Sequence, residues 1–157
     1  MTIEARDGEG NVSNQRSFTV TVNSASLAVV AWGSDYDGQA TVPAGLTSVA
    51  AIAAGGAHSL ALRSDGTVVA WGRTDDGQTA VPDGLTGVTG IAAGGFYSLA
   101  LKNNGTVVGW GADEAGQATV PAGLSGVTAI AAGANHSLVL KSDGMVVAWG
   151  WNSVGQT

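Results

Sequence analysis

Trp32, Trp71, Trp110 and Trp149 are each followed by glycine, and each stands 39 residues from the next. Few other features of a chain restrict its fold so strongly. A constant period of this size marks a repeat architecture in which each copy is one supersecondary unit that packs on its neighbours. The rest of the sequence keeps the step. Pro43, Pro82 and Pro121 obey it, as do the Gly-Gln pairs ending at Gln39, Gln78, Gln117 and Gln156. Ser59, Ser98 and Ser137 open runs of alternating leucines, and Gly66, Gly105 and Gly144 follow Ser-Asp or Asn-Asn. A residue that recurs in register is read first as part of the scaffold.

One repeat reads as short antiparallel strands. Residues 88–93 are small and β-branched, which predicts a buried strand. Gly94-Gly95 turns the chain, and the alternation in 97–102 predicts a second strand. Asn103-Asn104-Gly105 is a hairpin signal, because Asn and Gly accept positive φ. Residues 106–110 form a third strand, and 117–120 a short fourth that Pro121 ends, since proline has no N–H to donate. Long helices are excluded, because glycine interrupts every apolar stretch; the chain has 25 glycines in 157 residues. Three or four strands per repeat fit a β-propeller blade. A β-solenoid is the alternative, but it would not need a hairpin turn in each repeat.

The pattern Ala-Ala-Gly-x-x-His-Ser-Leu-x-Leu-x-Ser-Asp-Gly-x-Val-Val-Ala-Trp-Gly spans 53–72 and 131–150. The copy at 92–111 has Tyr97 where the others have His58 and His136. This pattern resembles the regulator of chromosome condensation repeat. The resemblance covers about residues 27–157 and implies a propeller, in that family usually of seven blades. The Val-Pro-Ala-Gly-Leu spacing is most similar to bacterial members, including the propeller-type β-lactamase inhibitory protein. That likeness carries loop aromatics over by position to Phe96, with Tyr97 beside it, while Ala57 and Asn135 match poorly.

Residues 1–25 lie outside the repeat and read as an immunoglobulin-like remnant or as strands recruited into the first blade. In the second case residues 2–6 are its inner strand and 16–22 its second strand. Residues 26–157 hold the propeller repeats, so the expected fold is all-β with about four blades per chain. An open arc leaves unpaired edges and apolar end faces. A second copy closes such an arc into a ring with an even blade total, here eight, which predicts a homodimer. The immunoglobulin-like start favours a secreted or surface location, although MTIEARDGEG has no apolar signal core.

Composition excludes several function classes. Six Lys and Arg residues against 12 Asp and Glu leave a net charge of −6, which disfavours nucleic acid. No run approaches the ~18 apolar residues of a membrane span. Without cysteine there are no disulfides or thiolate metal sites. No motif implies a cofactor.

His58-Ser59 with Asp65, and His136-Ser137 with Asp143, contain hydrolase residue types. Adjacent strand residues point to opposite faces, however, so each His and Ser should miss one another. The expected role of these His and Ser side chains is hydrogen bonding to the blade backbone, with the aspartates shaping turns. A hydrolase or lyase using the repeat histidines at the channel mouth is the alternative function. The leading one is a non-enzymatic protein-binding module. Its candidate residues are Asp35, Tyr36, Asp37, Asp75, Asp76, Asp113, Glu114 and Trp151 in the loops after Trp-Gly, with Phe96 and Tyr97 after Ala-Ala-Gly. This acidic set favours a basic protein partner. Asp35 and Asp37 also suit calcium, but the rest of a twelve-residue calcium loop is missing and no metal site is predicted.

Overall fold

The structure is a computed structural model that describes residues 19–23 and 28–157, with side chains from Val29 onward. It contains β1 (Thr19–Asn23), β2 (Ala28–Trp32), β3 (Val49–Ala54), β4 (His58–Arg63), β5 (Val68–Gly72), β6 (Val88–Ala93), β7 (Tyr97–Lys102), β8 (Val107–Gly111), β9 (Val127–Ala132), β10 (His136–Lys141) and β11 (Val146–Gly150). These form three antiparallel sheets in the orders β3-β4-β5, β6-β7-β8 and β9-β10-β11, plus the pair β1-β2. Thr19 pairs with Trp32 just as Ser59 pairs with Trp71. The proposed inner strand at residues 2–6, and most of the segment 1–25, lie outside the described residues.

The strands expected at 88–93 and 97–102 are found there, and the third runs over Val107–Gly111. The fourth strand expected at 117–120 does not form. Its backbone groups bond to side chains instead. The N–H groups of Ala118 and Thr119 both donate to Asp113 Oδ1, at 2.7 and 3.0 Å. The Gln117 carbonyl accepts from Ser137 Oγ at 2.8 Å and from Trp149 Nε1 at 3.1 Å. With these groups engaged locally and by the next blade, the segment pairs with no strand.

Successive sheets pack face to face through one repeated contact. Leu60 and Leu62 of β4 lie with Ala100 and Trp110 of the next sheet in one core cluster. Leu99 and Leu101 of β7 meet Val139 and Trp149 of the sheet beyond in another. Val29 of β2 joins Ala61 and Trp71 in a third. The sheets of β4 and β7 thus each bury their Leu-x-Leu face under the tryptophan of the sheet that follows. Backbone bonds tie the same neighbours: Gly56 N donates to Gly94 O at 3.1 Å, Gly95 N to Ala134 O at 3.0 Å, and Val127 N to Gly105 O at 3.1 Å.

The two ends of this stack differ from its interior. Trp32 is 48% exposed, whereas Trp71, Trp110 and Trp149 are at most 9% exposed. Leu140 and Val146 are 42% and 64% exposed, while their register mates Leu101 and Val107 are buried. The positions that glue blades inside the stack therefore face outward at its ends.

Ser48 has a φ of 57°, and the same register position is glycine in the next two repeats, Gly87 at 68° and Gly126 at 70°. A side chain in the left-handed region is strained by steric contact with its own carbonyl. Ser48→Gly relieves that strain, partly offset by the greater freedom of glycine in the unfolded chain. The expected result is a gain of about 0.5–1 kcal/mol, read as a higher urea midpoint with an unchanged slope.

Candidate functional site

The in-register polar residues form staples between blades. Gln39, Gln78 and Gln117 are buried, and each backbone carbonyl accepts two donors from the next blade. Gln39 O accepts from Ser59 Oγ at 2.7 Å and Trp71 Nε1 at 2.9 Å. Gln78 O accepts from Ser98 Oγ and Trp110 Nε1, both at 2.9 Å. Gln117 O does the same with Ser137 and Trp149. The side-chain Oε1 of each glutamine accepts a backbone N–H two residues earlier, which holds the Gly-Gln bend.

This network defines what His58 and the serines do. His58 is fully buried, and its Nε2 lies 2.9 Å from Ser98 Oγ, one blade on. Because the Ser98 hydroxyl donates to Gln78 O, the histidine is the donor of this pair, with its proton on Nε2. A general base for a serine must accept the hydroxyl proton, and here the imidazole gives one. Ser59, beside His58 in sequence, donates to Gln39 O on the other face. The expected backbone bond thus holds for Ser59, while His58 reaches a side chain of the neighbouring blade. Burial lowers the His58 pKa to about 4, because the charged ring would lose its hydration.

Tyr97 replaces histidine one blade later and repeats the bridge. Its hydroxyl donates to the His136 carbonyl and lies 2.9 Å from Ser137 Oγ. The placement of Tyr97 among partner-binding residues is therefore corrected: it is 0% exposed and joins two blades. The ring stacks closely over Gly94, where a Cβ would come within 1.9 Å of Tyr97 Cε1. Gly55 and Gly133 clear the same space for His58 and His136. This explains the glycine of every Ala-Ala-Gly. Asp65 and Asp143 shape hairpin turns by accepting from Thr67 N at 2.9 Å and Met145 N at 3.0 Å.

The remaining candidates lie at one end of the strands. The loops after Trp-Gly adjoin the turns after Ala-Ala-Gly: Arg73 N donates to Ala57 O, Ala112 N to Phe96 O, and Trp151 N to Asn135 O, all within 2.9 Å. The two variable segments of each repeat thus meet. Within them, Asp35 is engaged by its own loop, accepting from Ala40 N and Thr41 Oγ1 at 2.7 Å each. Those bonds, led by the Thr41 hydroxyl, lower its carboxyl pKa. Asp113 caps its loop the same way. Asp75 and Asp76 flank Arg73, whose Nε is 3.1 and 3.7 Å from their carboxylates. The Arg73 guanidinium also sits over the Phe96 ring, 5.1 Å from its centroid. Arg73 belongs to the same variable rim loop but was not among its candidate residues, which were all acidic or aromatic; its departure from the repeat was the available signal. Tyr36 is 82% and Trp151 48% exposed. Between the third and fourth complete repeat loops a cleft of about 240 Å³ is lined by Glu114, Ala115, Gln117, Asn135 and Trp151. Among the described residues no group of three or more His, Cys, Asp or Glu is arranged to hold a metal, Asp35 and Asp37 included.

Three-stranded antiparallel sheets stacked Leu-face to Trp-face, with every interface stapled alike, are blades of a β-propeller. The Regulator of chromosome condensation (RCC1) repeat model matches residues 49–78, 88–117 and 127–156. The chain belongs to this repeat family. No curated protein matches it significantly. Among solved structures it is similar to Prp20p of Saccharomyces cerevisiae, with a TM-score of 0.75 and 21% identity over 86% of this chain and 43% of that one. Human WBSCR16 follows at 0.69 and 25%, covering 87% and 45%. The ectodomain of the Physcomitrella patens receptor kinase CR4 gives 0.67 and 26%, covering 85% and 39%. The chain spans less than half the length of each.

Proposed function

We propose that this protein is a non-enzymatic protein-binding module that offers the variable loops of one propeller rim to a partner protein. One observation carries the reading. Residues shared between repeats are consumed by blade-to-blade bonds, and the residues that differ between repeats gather at the adjoining loops. Prp20p has binding properties toward Gsp1p and histones, which agrees with a propeller of this family recognising proteins. The hydrolase alternative has no support in the staple network, where each serine proton is directed at a carbonyl. The acidic candidates Asp37 and Glu114, whose carboxylates have no ion pair or hydrogen bond among the described residues, favour a basic partner surface.

We also propose that a second copy completes the ring. The exposed Trp32 face and the exposed Leu140–Val146 face are the two halves of the contact that recurs inside the stack. A head-to-tail contact of this kind generates a closed ring when its rotation closes. Gln156 keeps the bend of its register mates through Val154 N, at 3.1 Å. In the ring, Trp32 Nε1 donates to the partner's Gln156 carbonyl.

The rim reading is tested by cross-linking to partners in a native extract, quantified by mass spectrometry. A variant carrying Tyr36→Ser, Phe96→Ser and Trp151→Ser is compared with one carrying Ser64→Lys and Ser142→Lys in the hairpin turns at the opposite end. The expected result is capture reduced at least about tenfold by the first set, a loss of interface anchors, and unchanged by the second. Equal capture by all three proteins contradicts the reading.

A further inference from the structure

We infer that the rim cleft beside Trp151 binds an arginine side chain of the partner protein. The inference rests on the rim reading and specifies its chemistry. The chain contains its own precedent one blade earlier, where the Arg73 guanidinium lies over Phe96 and between Asp75 and Asp76. An aromatic face and carboxylates together suit a guanidinium, which is planar and weakly hydrated.

In the next repeat the register removes the guest and keeps one of the two carboxylates. Ala112 stands at the position of Arg73, and Glu114 at that of Asp75. Asn135 replaces Phe96, while Trp151 provides an aromatic surface from the following loop. The result is the open cleft of about 240 Å³. No lysine or arginine lines it, and Glu114 has no ion pair among the described residues. The volume lies below the range of small-molecule pockets and suits one long side chain. Asn135 adds an amide that accepts from guanidinium N–H groups. Net charge of −6 reinforces the sign of the guest.

The test is titration of the protein with N-acetyl-arginine methylamide, followed by NMR at the Trp151 indole and the Asn135 side-chain amide. The neutral isostere N-acetyl-citrulline methylamide is the control ligand. The expected result is saturable shifts at both groups with the arginine compound, at least fivefold weaker binding in Glu114→Gln and in Trp151→Ala, and further weakening in 0.5 M salt, where exposed charges are screened over about 4 Å. Equal shifts from the citrulline compound, or undiminished binding in Glu114→Gln, overturn the inference. A flat titration in a protein whose partner capture still depends on the rim overturns the cleft alone. Capture that ignores the rim overturns the reading beneath it.

Discussion

Trp110→Ala is expected to lower stability by about 3–5 kcal/mol, the usual cost of emptying a large buried aromatic site. Trp110 is 8% exposed and fills the layer between two blades, against Leu60, Leu62 and Ala100. The replacement leaves a cavity at an interface that backbone hydrogen bonds prevent from collapsing. Repeat stability is a sum over units and their interfaces, so a lost interface uncouples the units on either side. Trp110→Phe separates the two contributions. It keeps most of the apolar bulk and removes only the Nε1–H donated to Gln78 O. Ser98 Oγ still satisfies that carbonyl, so the phenylalanine variant should lose about 1 kcal/mol from hydrogen bonding, plus a smaller packing loss. Urea unfolding of the two variants checks both values. A cost below about 1 kcal/mol for the alanine variant would mean that blade packing does not hold the stack together.

Acid is expected to destabilise the fold through His58, starting at a higher pH than the depressed carboxyls of Asp35, Asp65 and Asp143. Its pKa is lowered by burial from 6.5 to about 4. As pH falls below 6.5 the unfolded chain takes up a proton at this position and the folded chain does not, so unfolding is favoured. Stability falls between pH 6.5 and about 4, and this contribution levels off once the folded state also binds the proton. The total is about 3 kcal/mol for a shift of this size. The depressed carboxyls of Asp35, Asp65 and Asp143 act in a lower window, below their unfolded value of 3.8. His58→Tyr supplies the residue that the next repeat already uses at this position, Tyr97. It should erase the slope above pH 4 while keeping a hydroxyl to bridge the blades. A wild-type stability that is flat from pH 7 to 4.5 would contradict the buried, neutral histidine.

Much of the fold was legible because the repeat supplied several readings of one pattern. The strands at 88–93 and 97–102 followed from β-branched runs and the Asn-Asn-Gly hairpin turn. The fourth strand failed because Gln117-Ala118-Thr119-Val120 has strand-like composition, yet its hydrogen bonds go to Asp113, Ser137 and Trp149. Local propensity is blind to those partners. The same limit hid the staples. His58 meets Ser98 and Trp71 meets the Gln39 carbonyl, contacts across 40 and 32 residues that exist only once blades are stacked. The rim loops were legible as departures from the register. Which departures stay accessible was not, as Tyr97 demonstrates: a hydroxyl on a ring that clears a glycine belongs to the interior.

The most direct test of the account is the solution mass by light scattering, because the two exposed end faces of the stack carry the two halves of the contact that joins blades inside it. The account predicts twice the 15.4 kDa chain mass, falling to the single-chain value in Trp32→Lys without loss of blade structure by circular dichroism. A single-chain mass for the wild type, independent of concentration, would contradict closure by a second copy.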